Sequence, residues 1–141
     1  MRRLLIAAAT LLAVSCASDD NGLVNVTTPR DVEAAMRRYV DDFKTPDVDA
    51  IASSFTVDAE LLEPGLDAVR GRDAIRAFFA KMLTSGRSIS METSSLETYG
   101  RNAYQWGTYR DRDASGRYVA AWRQDEDGRW RIVRLLVQPS K

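Results

Sequence analysis

Apolar residues recur every three or four positions in the first part of the chain, and this spacing predicts amphipathic helices. The first helix is expected to start at Thr28, where a capping hydroxyl, a proline at the first helical position (Pro29) and an acid (Asp31) form a helix-start signal. Its stripe is Val32, Ala35, Met36, Tyr39, Val40 and Phe43. The stripe spans about four turns, and charged residues occupy the opposite face.

Two further helices follow from the same spacing. A second start signal at Thr45, Pro46 and Asp47 predicts a short helix with the stripe Val48, Ile51, Ala52 and Phe55. A third helix is expected to begin at Asp73 and to end at Gly86, a residue type that favours helix ends. Its stripe is Ile75, Phe78, Phe79, Met82 and Leu83.

The remaining segments alternate with a period of two, which is typical of strands. A short strand over 59–63 and a return strand over 68–70 flank a Pro-Gly turn, and longer strands are expected over 88–98, 103–110, 117–124 and 129–138. Helices followed by a run of antiparallel strands predict an α+β fold, with a strongly curved sheet wrapped around about three helices. We expect one domain, residues 28–141.

The first 27 residues have a different pattern. Arg2 and Arg3 precede an eleven-residue apolar run, 4–14, which is far shorter than the roughly 20 residues of a membrane-spanning helix and has the size of a signal peptide. Cys16, the only cysteine, follows small residues, and this resembles the lipid-attachment site of bacterial lipoproteins.

That resemblance implies a cleaved leader (1–15), a lipid anchor on Cys16 and a flexible tether (16–27). It places the protein on a membrane surface of the bacterial envelope, the outer membrane in a Gram-negative host because Ala17 and Ser18 follow the cysteine. Ordinary secretion and an uncleaved anchor are the alternatives.

Composition excludes several kinds of site. The chain has 141 residues, no His and one Cys, so it cannot by itself build a Ser-His-Asp triad, a His-ligated metal site or an intrachain disulfide. Its formal charge is zero, and residues 16–141 carry 18 basic and 20 acidic residues, a net charge of −2. A surface without an excess of basic residues does not favour the binding of nucleic acid. We expect no metal and no cofactor.

Three sequence segments make the prediction of the fold more specific. The run over 38–82, especially around 59–64 and 71–79, resembles the N-terminal half of the nuclear transport factor 2-like superfamily, which includes ketosteroid isomerase and the SnoaL-like polyketide cyclases. The closing segment 127–133 resembles the final hairpin of bacterial members. The resemblance implies a cone-shaped barrel with a deep apolar pocket, often in a homodimer.

The resemblance also implies site residues. Tyr39 matches the tyrosine with which ketosteroid isomerases bind the developing oxyanion, and Glu63 matches the carboxylate that shuttles the proton. Ala120 stands where those enzymes have an oxyanion-hole Asp, which argues against steroid isomerisation by that mechanism. Scytalone dehydratase-like chemistry relies on His, which is absent, and the Asp-Arg-Asp set of limonene-type epoxide hydrolases has no evident counterpart.

Each candidate also has a simpler interpretation. Tyr39 is a member of an apolar helix stripe, and Glu63 could cap the Pro64 turn or pair with an Arg. Arg134, in an apolar strand, could clamp a ligand carboxylate or pair with a neighbouring acid. The pocket-lining candidates are Phe79, Met82, Trp106, Tyr118, Ala120, Trp122 and Arg134.

Three functions remain open from the sequence, and the first of them is preferred over an enzyme. The first is a membrane-anchored domain that binds a small apolar molecule or a partner protein without turnover. The second is a cofactor-independent isomerase, lyase or cyclase that uses Glu63 and Tyr39. The third is a dimerisation module whose open sheet face packs on a second copy. Solvent-accessible placement of both Glu63 and Tyr39, converging on one pocket, would favour the enzyme, and a filled core with Glu63 facing outward would exclude it.

Overall fold

The computed structural model describes residues 28–84, 87–112 and 114–140. In this part of the chain three helices and six strands follow one another in the order α1 (Pro29–Asp42), α2 (Val48–Ser53), β1 (Phe55–Leu62), β2 (Val69–Arg70), α3 (Arg72–Met82), β3 (Ser90–Tyr99), β4 (Asn102–Asp111), β5 (Ala114–Gln124) and β6 (Trp130–Pro139). The leader, the tether, Cys16 and Gly86 lie outside the described residues.

The strands of the described chain form one curved sheet of six strands in the order β2-β1-β6-β5-β4-β3. Neighbouring strands are antiparallel except β1 and β6, which are parallel. The predicted α+β class with a curved sheet around a few helices is confirmed, and the sheet is open rather than closed into a barrel. None of the described helices is both long enough and apolar enough to span a bilayer.

The capping residues set the start of α1 as predicted and the start of α2 two residues later than predicted. The Asp31 carboxylate accepts from the Thr28 backbone N–H at 3.2 Å and from its hydroxyl at 3.0 Å. The second helix begins after Asp47, whose carboxylate accepts from the backbone N–H groups of Asp49 and Ala50 at 3.1 and 3.0 Å. Asp47, and not Thr45, is therefore the N-cap.

The assignment of Phe55 to the second helix is wrong. Helix α2 ends at Ser53, and Phe55 begins β1 in register with Ile132 of β6. Phe55 is fully buried, and its ring meets that of Tyr39 edge to face with centroids 5.7 Å apart. A strand that starts directly after a helix can continue the helix stripe by chance, because both elements bury this position.

The helices pack on the concave face of the sheet through an aromatic cluster. The rings of Tyr39 and Phe43 on α1 lie edge to face at 5.1 Å, and Phe43 meets Phe79 of α3 in the same way at 5.5 Å. Such pairs add to the free energy gained by burial alone. The cluster fixes α1 and α3 over the sheet, and it borders the cavity described below.

A buried chain of hydrogen bonds fills the middle of the concave face. The Trp122 Nε1–H donates to Gln105 Oε1 at 3.0 Å, and Gln105 Nε2 donates to Thr93 Oγ1 at 2.7 Å. The Thr93 and Tyr118 hydroxyl oxygens lie 3.5 Å apart. Thr93, Gly107 and Tyr118 are register partners on three neighbouring strands, so the Tyr118 ring reaches Thr93 across the glycine.

Strict alternation along β6 would place Trp130, Ile132 and Arg134 on one face of the sheet, but β6 contains a bulge that breaks this alternation. Ala121 of β5 pairs with Arg134 and Trp122 pairs with Ile132, which leaves Val133 as an extra residue. A bulge shifts the alternation of side chains by one position. Ile132 is therefore buried, whereas Arg134 points outward.

Candidate functional site

A cavity of about 190 Å³ opens between the helices and one end of the sheet. Its wall combines residues of α1, α3 and β6 with residues at the start of β3 and at the β4–β5 connection. The apolar part of the wall consists of Phe43, Phe79, Met82, Ile89, Met91, Ala114, Leu135 and Val137. An apolar wall with a few convergent polar groups is the usual form of a ligand site.

Five polar side chains enter this cavity from separate elements. Tyr39 comes from the middle of α1, and Glu63 follows the last residue of β1. Arg87 lies between α3 and β3, and Tyr109 and Asp111 lie at the end of β4. Residues far apart in sequence thus meet because the ends of β1, β4 and β6 reach the same end of the sheet.

The Glu63 carboxylate is half-buried and has no hydrogen-bond or ion-pair partner among the described residues. Only its backbone carbonyl is engaged, by the Leu66 N–H at 3.2 Å in the turn. Burial raises the pKa of Glu63 above its ordinary value, and the Arg87 guanidinium opposes part of this rise. The simpler interpretations of Glu63, a side-chain cap or an Arg pair, find no such contact in the described chain.

Two phenols face the same carboxylate. Burial first, and then the Glu63 charge, raise the pKa of Tyr39 and also that of Tyr109. Neither hydroxyl has a hydrogen-bond partner in the described ranges. Both side chains therefore stay protonated near neutral pH, and each can donate an O–H to a molecule in the cavity.

Arg87 is held in place by an ion pair and by its backbone. Its guanidinium Nη2 donates to Asp111 Oδ2, and its backbone N–H donates to the Phe43 carbonyl at 2.9 Å. The Asp111 side chain is only 11% exposed. Since Asp111 neutralises Arg87, the described charges of the cavity leave the Glu63 carboxylate in excess.

The structure brings together four of the residues that the sequence singles out. Tyr39, Glu63, Phe79 and Met82 all line this cavity. The sequence reasoning missed Arg87, Tyr109 and Asp111. Alternation along β4 groups Tyr109 and Asp111 with Ala103 and Gln105, and only knowledge of which face is inward could have identified them.

The other pocket-lining candidates lie elsewhere. Tyr118, Ala120 and Trp122 are buried in the core of the sheet and do not contribute to the cavity lining. Trp106 and Arg134 lie on the outer face of the sheet. Ala120 pairs with Gln105 and Leu135, so an acid there would have to be buried beside the Gln105 amide.

Arg134 pairs with an acid, which is the simpler of the two interpretations. Its Nε donates to Glu60 Oε2 at 3.2 Å, and Glu60 also accepts from Arg70 Nε at 3.1 Å. These groups are on the surface. The geometry gives Arg134 no contact with the cavity.

The outer face of the sheet carries an exposed apolar row. Trp106, Val119 and Leu136 are register partners on β4, β5 and β6, and their exposed fractions are 39%, 44% and 44%. An exposed apolar patch of this kind often marks an interface. The expected homodimer stays a prediction, and this row is the face on which the sequence analysis places it.

A larger cleft of about 750 Å³ lies at the opposite end of β4–β6. Two of its arginines, Arg123 and Arg131, form ion pairs with neighbouring acids of the fold. Arg131 donates to Asp125 at 2.9 Å and to Asp127 at 2.6 and 2.9 Å, and Arg123 donates to Asp58 and Asp125. Arg123 and Arg131 are direct cross-strand partners, and Asp125 between them offsets their repulsion. Arg123, Arg131, Asp125 and Asp127 are paired here, whereas the Glu63 carboxylate of the smaller cavity has no ion-pair partner in the part of the chain that the structure describes.

No group of three or more His, Cys, Asp or Glu side chains that could hold a metal ion occurs within the described ranges. The chemistry available to the cavity is therefore built from the carboxylate of Glu63, the phenols of Tyr39 and Tyr109, and the Arg87–Asp111 pair. A carboxylate with a raised pKa can accept a proton, and a neighbouring phenol can stabilise an oxygen on which negative charge develops.

Comparison with known proteins agrees with this architecture. The model of the SnoaL-like domain family matches residues 36–138. No curated protein matches the chain. Three solved structures are similar to it at 21% identity or less, which shows the shared fold.

A ketosteroid isomerase-like protein from Erwinia carotovora atroseptica has a TM-score of 0.67 and 21% identity, with 79% of this chain and 95% of that chain covered. A putative scytalone dehydratase from Novosphingobium aromaticivorans has a TM-score of 0.73 and 18% identity, with 84% and 87% covered. A nuclear transport factor 2-like superfamily protein from Salmonella enterica has a TM-score of 0.68 and 18% identity, with 79% and 90% covered.

Proposed function

The chain belongs to the SnoaL-like domain family, within the nuclear transport factor 2-like superfamily, and from this premise we propose that its cavity binds a small, largely apolar carbonyl compound and moves one of its protons. Glu63 is the base that takes the proton from the carbon next to the carbonyl. Tyr39 donates a hydrogen bond to the carbonyl oxygen as it becomes an enolate.

The unpaired Glu63 carboxylate is the observation that supports this proposal best. A half-buried carboxylate without a partner costs stability, and such groups cluster at functional sites. Its raised pKa makes it a stronger base than an exposed carboxylate once it is ionised. A structural acid would be paired, as Glu60 and Asp125 are in the same chain.

The size and charge of the cavity restrict the substrate. About 190 Å³ corresponds to roughly six water molecules at about 30 Å³ each. This suits a single ring or a short chain better than a four-ring steroid. The excess negative charge in the wall favours a neutral molecule over an anion.

The reaction balances without a cofactor. A C–H bond next to the carbonyl breaks, its proton passes to Glu63, and its electron pair moves onto the carbonyl oxygen to form an enolate. The proton then returns to the same carbon or to another carbon of the conjugated system. The second outcome is an isomerisation.

A single-ring ketone tests this function. The protein should convert 3-cyclohexen-1-one into 2-cyclohexen-1-one, and the appearance of the conjugated product is followed by ultraviolet absorbance. Replacing Tyr39 with Phe should lower the rate by about 10²–10³-fold, since one oxyanion donor is lost. An unchanged rate in Tyr39→Phe would contradict the role given to this hydroxyl.

Binding without turnover is the alternative, and it has its own readout. The ¹⁹F NMR signal of 4-fluorophenol, a neutral ring with one oxygen, should shift on addition of the protein. Phe79→Trp should abolish this shift because the larger ring fills the cavity. If the native protein shows the shift but does not isomerise the ketone, the domain binds its ligand without turnover.

The lipid anchor is proposed from the leader sequence, which lies outside the described residues. We expect the full chain, expressed in a Gram-negative bacterium, to incorporate radioactive palmitate and to fractionate with membranes, because two or more acyl chains give stable anchoring. Cys16→Ser should abolish both. Membrane fractionation that survives Cys16→Ser would favour an uncleaved anchor, and secretion without labelling would favour an ordinary signal peptide.

A further inference from the structure

The cavity contains a second phenol, that of Tyr109. The reaction proposed above uses one hydrogen-bond donor for one carbonyl oxygen, Tyr39, and gives Tyr109 no role. Tyr109 lies on the concave face of β4, in register with Met91 on β3 and Gly116 on β5. Its ring forms part of the cavity wall. The hydroxyl has no hydrogen-bond partner in the described chain, in contrast to Tyr118 on the same face, whose hydroxyl lies near Thr93.

Tyr39 and Tyr109 are placed around one carboxylate. They come from α1 and β4, which contribute different walls of the same cavity, and the Glu63 charge acts on both phenols. The Glu63 base therefore has one O–H donor in each of two cavity walls. This arrangement suits a substrate whose reacting carbon lies between two carbons that each carry an oxygen.

The second oxygen is not that of a free carboxylate. Arg87, the cation of the described cavity wall, is already paired with Asp111. A carboxylate ligand would add a second uncompensated negative charge beside Glu63. Both oxygens of the substrate are therefore neutral acceptors, and carbonyl oxygens of ketone, ester or amide groups are the neutral acceptors that can also take up the negative charge as Glu63 removes a proton.

We infer that the substrate is a neutral 1,3-dicarbonyl compound, with Tyr39 and Tyr109 each donating to one carbonyl oxygen while Glu63 takes the proton from the carbon between them. This inference rests on the proposed function. The C–H electron pair spreads over both oxygens as the proton moves to Glu63, and the proton later returns to the carbon skeleton. Tyr109 is thus the specificity-determining residue for a second carbonyl.

The acidity of a 1,3-dicarbonyl compound suits a site that has one carboxylate base and two neutral hydroxyl donors. A carbon between two carbonyl groups is much more acidic than one beside a single carbonyl group. Delocalisation of the enolate charge over two oxygens replaces the third, acidic donor of an isomerase-type oxyanion hole, whose position is Ala120 in the core. Two neutral phenols are then sufficient, one for each oxygen.

Turnover of two probes separates the role of Tyr109 from that of the base. Ethyl acetoacetate has two carbonyl groups, and its C2 protons exchange with deuterium from D₂O, which ¹H NMR follows above the buffer rate. Tyr109→Phe should lower this exchange by at least tenfold and should lower 3-cyclohexen-1-one isomerisation by a clearly smaller factor, because that substrate has only one carbonyl oxygen to accept a hydrogen bond. Tyr104→Phe, the same change on the outer face of β4, should alter neither.

Ligand binding tests the inference even if turnover is absent. Resorcinol carries two oxygens in a 1,3 relation and phenol carries one, and calorimetry gives their dissociation constants. Native protein should prefer resorcinol, and Tyr109→Phe should remove the preference without weakening phenol.

Equal binding of resorcinol and phenol, a preference that survives in Tyr109→Phe, or an equal effect of Tyr109→Phe on both turnover probes would overturn the inference. Failure of the proposed function has a different signature, namely exchange and isomerisation rates that are the same in the native protein and in Glu63→Gln.

Discussion

Glu63→Gln is expected to reduce the isomerisation of 3-cyclohexen-1-one by at least about 10²-fold, because a positioned general base contributes typically 10²–10⁴-fold. The amide keeps the size of the side chain but cannot accept the proton. The same variant should be at least as thermally stable as the native protein at pH 7, since it removes a half-buried carboxylate that has no partner in the described chain. Activity and stability thus change in opposite directions.

The pH dependence of this stability difference has a defined sign. The folded-state pKa of Glu63 is raised, so the folded chain binds this proton more tightly than the unfolded chain does, and ionisation destabilises the fold. The native protein should therefore approach Glu63→Gln in stability as the pH falls through the raised pKa, and fall behind it above that pKa. Thermal unfolding between pH 4 and 8 measures the difference.

Glu60→Gln is the matched control, because Glu60 lies on β1 shortly before Glu63 but faces outward to Arg70 and Arg134. The pKa of Glu60 is lowered, first by its hydrogen bond with Arg70, so its contribution to stability is present above the unfolded pKa and is lost as the pH falls. Glu60→Gln should leave the rate unchanged. A stability loss in Glu63→Gln larger than that in Glu60→Gln would identify Glu63 as a structural acid.

Gly107→Ala is expected to lower the free energy of unfolding by about 3 kcal/mol, the upper part of the usual range for overpacking. A Cβ at this position would overlap with the backbone oxygen of Glu92 and lie 2.9 Å from its carbonyl carbon. It would also lie 3.0 Å from the backbone nitrogen of Ser94, the extra residue of a bulge in β3. These are backbone atoms of a paired strand, so relief requires the strand to move. Urea unfolding measures the loss.

Gly65→Ala separates this clash from ordinary glycine effects. Gly65 has φ +74° in the turn after β1, with nothing near its missing Cβ. Alanine there should cost about 1 kcal/mol, from the left-handed backbone alone. A loss in Gly107→Ala no larger than that in Gly65→Ala would show that β3 moves at its bulge and accommodates the added Cβ without strain.

Much of the fold could be predicted because its signals are local. The Thr28 cap and the helix stripes depend on residues three or four positions apart, and the strands follow from alternation. The two acid–base candidates, Tyr39 and Glu63, came from a family resemblance that covers their surroundings. The structure places both on the wall of one cavity, Glu63 half-buried and Tyr39 only 3% exposed, so the convergence that would favour an enzyme is present while Tyr39 has little access to solvent.

The rest of the site depends on the orientation of the strands and on contacts between distant residues, which local sequence patterns do not reveal. Alternation in β4 divides its residues into two groups but does not say which group faces the helices, and so Trp106 was favoured over Tyr109. The bulge at Val133 reverses the expected side of Arg134, and a bulge has no residue signature here. Arg87 and Asp111 meet only because two connections lie at the same end of the sheet.

The most direct test of the account is the titration of the Glu63 side chain itself. The carboxyl ¹³C resonance of Glu63, assigned by its loss in Glu63→Gln, reports the ionisation of this one group. We predict a midpoint above that of an exposed glutamate, together with pH-dependent shifts of the Tyr39 and Tyr109 ring signals at the same midpoint. A Glu63 midpoint at or below that of an exposed glutamate would contradict the account.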